Sequence, residues 1–484
     1  MKNIAIIGAG LGGLSAGALL AKNGYKVTIL EQHNIVGGCA TTFKRKGGFI
    51  CEVGLHEMDG VYSNKVIKEM FEELDVYDNV EFVKPKEFFR VKTDEFEFVM
   101  PDNLKEAKEK LIKTFPDSQK SIVEYFAIIE KISNAFETLS DFQLKNILSM
   151  PSALYNILKY KNRSLQEVFD TLFNDENLKI ILNTNMNYYH DNTKELNFLL
   201  HALAQHSYFT GHGWFIKGGS QKLSNHLASV VLENGGTIIT KAMVESIGEN
   251  SLTYSLSNQT QTLKFDKLVS NISPMQTYEM AEIKHNDEKK QIAESLLTIY
   301  LGFSKNLKEI YKENSYSNFF LKEVHKLEDF NDTRETPAKE RGFAFIDYSQ
   351  IDSELTKEKN KSFGVLTTVD YLRDWENLSE KEYKEKKAIV LESFLNKLEK
   401  EYPNIKEYIE YSEVATAKTM QRYLKTPNGT AYGFAPSVQQ FFKVPQTKSP
   451  KMKNLYFVGQ WVIGGGFSPA LTSGKLCYDA ILKS

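Results

Sequence analysis

The stretch that decides the fold is Asn3-Ile-Ala-Ile-Ile-Gly-Ala-Gly-Leu-Gly-Gly-Leu-Ser-Ala, which leads through one helix to the apolar run Val-Thr-Ile-Leu and then Glu31. An apolar strand, a glycine turn, a helix and a second strand that ends in an acid are typical of a dinucleotide-binding βαβ unit. Gly8 permits the tight turn, Gly10 lets the backbone approach a pyrophosphate, and Gly13 lets the helix pack closely on the strand. The sequence therefore predicts a pyrophosphate at the helix N-terminus and ribose hydroxyls on Glu31.

The composition excludes several classes of protein. The chain has 484 residues, of which 42% are hydrophobic and 25% charged, as in ordinary globular proteins. The formal net charge of -2 argues against a dedicated nucleic-acid binder. Three cysteines without metal-binding spacing predict neither a disulfide framework nor a metal site, and they favour a reducing compartment. No uninterrupted apolar run is long enough to span a membrane, so we predict a cytoplasmic protein that can still lie on a membrane surface.

The hydrophobic patterns divide the chain into alternating pieces. Residues 1–63, 212–290 and 405–484 combine short strands with glycine turns, and we predict that they form one nucleotide-binding domain. Residues 64–211 and 291–404 are predicted to form an inserted domain of mixed helices and strands, part of which could face a membrane. The predicted fold class is therefore α/β, with a Rossmann-like domain assembled from separate parts of the chain.

One segment of the inserted domain has an unusual charge pattern. Leu144–Arg163 carries apolar residues at helical spacing, and all its charges are basic. Such a helix suits a lipid interface, although a helix that packs on the protein core has the same spacing. Pro151 would break or begin a helix in either case. Peripheral membrane contact is one interpretation of this segment, and core packing is the other.

The C-terminal piece repeats the arrangement of a strand followed by glycines and a helix. The apolar strand Leu455–Val458 leads into Gly459 and Gln460, and Ser468 and Pro469 then suit the N-cap and first residue of a helix. A helix N-terminus at the tip of a strand can neutralise negative charge on a bound ligand. The sequence thus predicts a second ligand contact far along the chain from the first.

Together these pieces resemble the FAD-dependent flavoproteins of the phytoene-desaturase type, which include carotenoid desaturases, carotenoid isomerases and retinol saturases. The resemblance covers most of the chain and is strongest in Gly8–Glu31 with Gly37-Gly38, Gly218–Ser220 with Gly235-Gly236, Ser270–Pro274 and Asn454–Ala470. Cys39 follows Gly38 where the classical desaturases carry arginine. That residue, Leu199–Gly219 and Thr419–Gly433 are more similar to the saturase and isomerase branches.

The resemblance implies a two-domain fold of the glutathione-reductase type with FAD in the nucleotide domain. The residues that it assigns to FAD are Gly8, Gly10, Gly12, Gly13, Leu14, Glu31, Gln32, Gly37, Gly38, Cys39, Val244, Gly459, Gln460, Ser468, Pro469 and Ala470. Gln460 departs from the family, in which an acid often holds the ribityl chain of the flavin, although an amide can also hydrogen-bond a hydroxyl. No second glycine motif lies between 270 and 450. We therefore expect electrons to come from the substrate, from a diffusing partner or from NAD(P)H that binds transiently.

The resemblance also implies hydride transfer between flavin N5 and a carbon of a hydrophobic polyene or isoprenoid lipid, with saturation or cis-trans isomerisation of a C=C bond favoured. A carotenoid desaturase that passes electrons to oxygen or a quinone is the close alternative. Two further alternatives are an amine oxidase, which would need an aromatic cage and a lysine at the flavin, and a lipid-binding protein with a vestigial nucleotide fold.

Proton transfer in such a reaction would need a titratable side chain near the flavin. The candidates are His56, Glu57, His201, His206 and Tyr208. Arg422 is a candidate for holding a polar end of the substrate or the flavin edge, and a plain salt bridge is its alternative. Any one of these side chains can equally have a purely structural role.

Overall fold

A computed structural model describes residues 2–140, 151–312 and 314–484. Its strands are β1 (Asn3–Ile7), β2 (Lys26–Glu31), β3 (Thr42–Lys44), β4 (Ile50–Glu52), β5 (Met58–Asp59), β6 (Phe82–Val83), β7 (Glu87–Lys92), β8 (Glu97–Pro101), β9 (Gly213–Ile216), β10 (Thr237–Thr240), β11 (Ala242–Ile247), β12 (Ser251–Leu256), β13 (Gln259–Lys264), β14 (Lys267–Ser270), β15 (Ser295–Phe303), β16 (Ser317–Phe320), β17 (Phe343–Asp347), β18 (Ser362–Asp370), β19 (Ile409–Ala415) and β20 (Leu455–Phe457). Its α-helices are α1 (Leu11–Lys22), α2 (Lys65–Glu73), α3 (Val76–Asn79), α4 (Leu104–Thr114), α5 (Gln119–Ser140), α6 (Pro151–Tyr160), α7 (Leu165–Leu172), α8 (Glu176–Asn183), α9 (Phe198–Gly211), α10 (Gln221–Glu233), α11 (Pro274–Met280), α12 (Leu307–Ile310), α13 (Glu380–Glu401), α14 (Ala417–Leu424) and α15 (Phe467–Leu482).

A parallel sheet in the order β10-β2-β1-β14-β20 carries the glycine turn. The central strand β1 pairs with β2 on one side and β14 on the other, and it is buried along most of its length. Helices cover this sheet, as the continuous apolar character of its strands predicts. The packing of α15 on α1 is so close at Gly474 that an added Cβ would lie 2.0 Å from Ser15 Oγ.

The chain leaves and re-enters the parallel sheet through an antiparallel meander. Strands β11, β12 and β13 pair in sequence between β10 and β14. These three strands form a β-crossover between two strands of the parallel sheet.

The inserted domain is built on a seven-stranded sheet in the order β19-β15-β18-β17-β16-β7-β8. All its neighbouring strands are antiparallel except β16 and β7. Strand β19 continues this sheet past the predicted boundary after residue 404, because it pairs with β15 from Thr298 to Phe303. Sequence patterns do not reveal the pairing of β19 with β15. Residues 409–415 fall within the piece 405–484, which we predicted to belong to the nucleotide-binding domain.

Glycines shape two local turns of the backbone. The chain reverses at Lys46–Gly48, where β3 and β4 pair antiparallel and Gly47 has a φ of 85°. The predicted start of the last helix is wrong by two residues. Gly466, with a φ of 107°, turns the chain into α15 before Ser468, so Pro469 lies within the first turn. The turn tolerates proline there because the first N–H groups of a helix have no intrahelical partner.

The basic segment Leu144–Arg163 is described only in its second half. Residues 144–150 lie outside the described residues, whereas α6 begins at Pro151, as the sequence allowed. Tyr155 and Leu158 on this helix have exposed fractions of 62% and 54%. Within the described ranges, none of the helices combines the length and apolar character needed to cross a bilayer.

Candidate cofactor cleft and active site

A cleft opens at the carboxyl ends of the parallel strands, where open α/β sheets bind their ligands. It has a volume of about 1570 Å³ with its open mouth included, and residues of β1, β2, β11 and β15 reach it. The glycine turn lies at one wall, and the start of α15 lies at another. The cleft therefore joins the two ligand contacts that the sequence predicted separately.

The glycine turn has the geometry of a close backbone approach. Gly8 has a φ of 91°, and its N–H donates to the carbonyl of Leu30 at 2.8 Å. A Cβ on Gly12 would lie 2.5 Å from the backbone nitrogen of Gly459, and a Cβ on Gly13 would lie 2.2 Å from the carbonyl oxygen of Gly8. No side chain fits at either position, so the start of α1 is held bare against the cleft.

Glu31 is buried at the end of β2 and is fixed by the backbone on both sides. The N–H of Ala9 donates to Oε2 and the N–H of His33 donates to Oε1, each at 2.8 Å. A carboxylate offers about four acceptor positions. Two of these remain for the ribose hydroxyls of a dinucleotide, so the residues present fit the predicted cofactor.

The loop after β2 brings a second pair of glycines to the cleft. Gly37 donates its N–H to the carbonyl of Ala9 at 2.7 Å, and a Cβ on Gly37 would lie 2.3 Å from the carbonyl oxygen of Ala40. Cys39 lines the cleft as a free thiol, and burial raises its pKa to about 12. The thiol is therefore protonated at neutral pH and supplies no nucleophile.

Strand β20 and helix α15 close the far side of the cleft. The N–H of Gly459 donates to Ser473 Oγ at 2.7 Å, which ties the tip of β20 to the first turns of α15. Ser468 does not cap the helix but donates its hydroxyl to the carbonyl of Asp59 at 2.8 Å. Gly466, Phe467 and Ala470 at the start of α15 line the cleft, where the free N–H groups of a helix N-terminus can stabilise negative charge.

Most of the predicted cofactor residues line this one cleft. Those that line it are Gly8, Gly10, Gly12, Glu31, Gln32, Gly37, Gly38, Cys39, Val244, Gly459, Gln460 and Ala470. The others, Gly13, Leu14, Ser468 and Pro469, belong to the helix starts that shape the walls. Their assignment to FAD stays a prediction.

Two cleft residues were missed by the sequence analysis. Asn271 follows β14 and lies over the glycine turn, with Nδ2 2.6 Å from the position of a Cβ on Gly10. Tyr432 lines the cleft where Gly465 approaches it, and a Cβ on Gly465 would lie 2.4 Å from the Tyr432 ring. Both residues lie in segments that carry the family resemblance, but an asparagine or a tyrosine alone does not indicate a specific role.

Glu57 and His56 lie in a partly buried polar cluster. His56 Nδ1 lies 3.1 Å from the hydroxyl of Tyr188, and burial lowers the pKa of His56 to about 4. Ser317 donates to Glu57 Oε1 at 3.1 Å, but burial outweighs this bond and raises the pKa of Glu57 to about 8. Glu57 is therefore protonated at neutral pH, and it can donate a proton.

This cluster extends to Tyr208 and towards the cleft. Tyr208 stacks on Phe88 with ring centroids 4.9 Å apart. Burial first, and then the charges of groups that include Glu57 and Tyr432, raise the pKa of both Tyr188 and Tyr208 well above its ordinary value. His56, Glu57 and Tyr208 are themselves not among the residues that line the cleft, whereas Tyr432, which lines it, contributes to the raised pKa of both tyrosines.

The two histidines of α9 are held away from the cleft lining. His201 is fully buried, with Nε2 3.0 Å from the hydroxyl of Tyr125 and Nδ1 3.2 Å from that of Tyr189. Burial lowers its pKa to about 3, so it is neutral. His206 is half-buried, burial lowers its pKa, and the nearby acids Glu130 and Glu137 act in the opposite direction. Neither histidine is among the residues that line the cleft.

Arg422 lies on α14 in a neighbouring groove, not in the cleft itself. This groove shares Gln276, Lys425 and Thr426 with the cleft. The guanidinium of Arg422 lies 5.6 Å from the ring centroid of Tyr423. A contact between Arg422 and a bound cofactor or substrate stays a prediction.

The chain is similar in sequence and in fold to known proteins. The family model described as flavin-containing amine oxidoreductase matches residues 11–482. An all-trans-retinol 13,14-reductase of Danio rerio is 26% identical, with 99% of this chain and 85% of that protein covered. A 4,4'-diaponeurosporene oxygenase of Staphylococcus aureus strain MW2 is 24% identical, with 99% of this chain and 98% of that protein covered.

Among solved structures, the cyclohexylamine oxidase of Brevibacterium oxydans is similar along the whole chain. The TM-score is 0.64 at 13% sequence identity, with 100% of this chain and 99% of that chain covered. At this identity the similarity shows the fold alone. This structural similarity confirms the predicted two-domain fold, and the match to a flavin-containing family confirms FAD as the cofactor. The predicted class of enzyme, an oxidoreductase, is confirmed as well.

Proposed function

Because the chain belongs to the flavin-containing amine oxidoreductase family, we propose that it uses FAD to reduce a carbon–carbon double bond of a hydrophobic polyene, retinoid-like or carotenoid-like in structure. The observation that carries this proposal is the similarity to an all-trans-retinol 13,14-reductase over 99% of the chain. Cis-trans isomerisation of the same bond is the companion activity, since it needs the same cofactor and the same oriented polyene.

The side chains of the cleft fit this chemistry. When bound, FAD supplies a hydride acceptor and donor. Glu31 and the glycine turn would hold its ribose and pyrophosphate, and the N-terminus of α15 would stabilise negative charge on the reduced ring. Leu296 and Phe467 line the cleft with apolar surface that excludes water from the reacting carbons.

The lysine content of the cleft gives amine oxidation less support. An amine oxidase of this fold is expected to carry a lysine at the flavin. Among the described residues that line the cleft, Lys425 is the only lysine. It is close in the chain to Tyr423, whose carbonyl accepts from Gln32 at 3.2 Å, beside Glu31. Lys425 therefore belongs to the ribose end of the cleft in our proposal, remote from the hydride-transferring end.

The test uses holoenzyme reduced with dithionite under anaerobic conditions and a panel of polyenes that includes all-trans-retinol and a linear carotenoid. We expect products that have gained two hydrogens, detected by mass spectrometry, and no product with FAD-free protein. An isomerase would give products of unchanged mass and altered retention. A desaturase would give products that have lost two hydrogens, and only from the oxidised enzyme, which would contradict the proposal.

Oxidation of a carotenoid is the second candidate function. The similarity to a 4,4'-diaponeurosporene oxygenase over 99% of the chain favours it. The same panel in the presence of oxygen distinguishes the two, because an oxygenase adds the mass of oxygen to its product. Incorporation of labelled oxygen from O₂ would favour this candidate over reduction.

We also propose a cytoplasmic location with peripheral membrane contact through α6. Cys39, Cys51 and Cys477 are free thiols, which suits a reducing compartment. Tyr155 and Leu158 expose apolar surface on α6, where Lys159 adds positive charge, and a polyene substrate partitions into lipid. Sedimentation with anionic vesicles at low salt tests this contact, and a Tyr155→Ser/Leu158→Ser variant that still binds them equally would contradict it.

A further inference from the structure

The groove that adjoins the cofactor cleft is lined by positive charge. It lies where α11, α13 and α14 meet, and it has a volume of about 1200 Å³ with its open mouth included, which leaves room for a small ligand. We call it the basic groove. Its polar lining includes Lys418, Arg422, Lys425, Thr419 and Gln421, and no aspartate or glutamate is among the described residues that line it.

The three cations of the basic groove have no carboxylate partner. Lys418 Nζ donates to the carbonyl oxygen of Trp375 at 3.2 Å, which leaves two of its three N–H donors for a ligand. None of the three cations forms an ion pair with any residue that the structure describes. On the exposed face of α13, by contrast, Lys381 and Lys384 are each paired with a glutamate one turn away. The basic groove therefore differs from an ordinary solvated surface of this protein.

The dipole of α14 accounts for only part of this charge. A cation in the last turn of a helix interacts favourably with the C-terminal end of the dipole, and Arg422 lies in the last turn of α14. Lys418 is the second residue of the same helix, where the dipole disfavours a cation. A purely structural explanation thus leaves Lys418 unexplained, and it does not require the three cations to line one concavity.

The basic groove shares a wall with the cofactor cleft but has no contact with the glycine turn. Gln276, Lys425 and Thr426 line both the groove and the cleft. Gln276 Nε2 donates to the carbonyl oxygen of Lys425 at 2.7 Å, and Gln276 Oε1 accepts from Ser273 Oγ at 2.8 Å, so this wall is fixed. No residue of the glycine turn lines the groove. The pyrophosphate of FAD therefore does not explain the cations of the basic groove.

Phosphate is the anion that these side chains suit best. The guanidinium of Arg422 presents a planar fork of N–H donors that matches two phosphate oxygens, and each lysine adds a compact positive charge. The side-chain amide of Gln421 can donate to a further oxygen. We propose that the basic groove binds the phosphate group of a dissociable ligand. The shared chemistry is the phosphate, which a nucleotide, a lipid head group or a free phosphate compound can supply.

Calorimetric titration of FAD-loaded holoenzyme with pyrophosphate tests this site, because bound FAD already occupies the glycine turn. The variants are Arg422→Gln, Arg422→Lys and the double variant Arg422→Gln/Lys425→Asn. The matched control, Lys241→Asn/Lys381→Gln, removes two positive charges from exposed positions outside the groove. Lys241 and Lys425 both have a φ of 56°, so the two asparagine substitutions meet the same backbone conformation. No polyene is present, and the result is therefore independent of the proposed function.

We expect Arg422→Gln to weaken pyrophosphate binding about 10- to 150-fold, the effect of one hydrogen bond to a charged group. Arg422→Lys should lose less, because it keeps the charge without the planar fork. The double variant should lose more than Arg422→Gln, and the control should bind as wild type does. No measurable binding by wild type, or equal binding by wild type and the double variant at full flavin content, would overturn the proposal.

Two further measurements distinguish the sources of the phosphate, and each outcome supports the site. NADP⁺ and NAD⁺ differ by one phosphate group, so tighter binding of NADP⁺ that is lost in the double variant would assign the groove to a nucleotide. Sedimentation with vesicles of phosphatidic acid but not of phosphatidylcholine, again lost in the double variant, would assign it to a lipid head group. Binding of pyrophosphate alone would assign it to a free phosphate compound.

Discussion

The backbone N–H of Ala9 donates a 2.8 Å hydrogen bond to Oε2 of Glu31, so the glycine turn and the acid at the end of the next strand form one unit. The bond fixes the carboxylate at the point where a ribose would lie. Glu31 therefore supports the turn, and in our proposal it also binds the cofactor, so its substitution should affect both.

The first prediction concerns this carboxylate. Glu31→Gln removes the charge and turns one acceptor oxygen into a donor that faces the Ala9 or His33 N–H. A hydrogen bond to a charged group contributes about 1.5–3 kcal/mol, so we expect the dissociation constant for FAD to rise about 10- to 150-fold. Titration of apoprotein with FAD, followed by flavin fluorescence, measures it. Glu233→Gln, at an exposed position, is the control. Equal affinity for FAD in wild type, Glu31→Gln and Glu233→Gln would contradict the assignment of Glu31 to the cofactor.

The second prediction concerns the packing of α1 on β1. Gly13→Ala would place a Cβ 2.2 Å from the Gly8 carbonyl oxygen, and a backbone atom cannot move aside as a flexible side chain can. We expect protein purified without flavin and with a lower unfolding temperature. Gly24→Asn is the control, because a Cβ there meets nothing within 4 Å and asparagine tolerates its φ of 82°. A Gly13→Ala protein with full flavin content would refute the prediction.

The third prediction is a pH dependence that comes from Glu57. Burial raises its pKa from 4.5 to about 8, so between these values the folded chain keeps a proton that the unfolded chain has lost. Stability from this group is complete below pH 4.5 and falls as the pH rises towards 8. In Glu57→Gln we expect the unfolding temperature to fall less over that window. Calorimetry from pH 5 to 9 measures the unfolding temperature, with Glu245→Gln at an exposed position as the control. Unfolding temperatures that change in parallel with pH in wild type and Glu57→Gln would exclude a proton on Glu57 in the folded chain at neutral pH.

The fourth prediction separates a structural histidine from a catalytic one. His201→Phe leaves the buried hydroxyl of Tyr125 without its nitrogen partner, at a cost of about 1–3 kcal/mol, whereas the hydroxyl of Tyr189 keeps the hydrogen bond that it accepts from Gln205 Nε2. We expect a lower unfolding temperature with unchanged flavin content and unchanged single-turnover rate in the folded protein. The exposed His325→Phe should change none of these. A rate loss in His201→Phe at full flavin content would restore His201 as a catalytic candidate.

The sequence predicted the parts of the site that depend on neighbouring residues. The glycine turn, the distance from Gly8 to Glu31 and the second glycine pair are local, and each has a fixed geometric meaning in a βαβ unit.

The parts that long-range packing determines were not predicted. Asn271 reaches the glycine turn only because β14 pairs with β1, and Tyr432 reaches the cleft from irregular chain after α14. The basic groove forms only where α11, α13 and α14 meet, and these helices are far apart in the chain. The start of α15 was misplaced because the backbone angle of Gly466 decides it, and serine and proline gave a plausible alternative.

The most direct test of the central claim is the colour of the flavin after a polyene is added anaerobically to each redox state of the enzyme. We expect all-trans-retinol or a related polyene to restore the oxidised flavin absorbance of the reduced holoenzyme in a single turnover and to leave the oxidised holoenzyme unchanged. Bleaching of the oxidised holoenzyme by the polyene, with no reoxidation of the reduced form, would show that hydride leaves the lipid, and it would contradict the account.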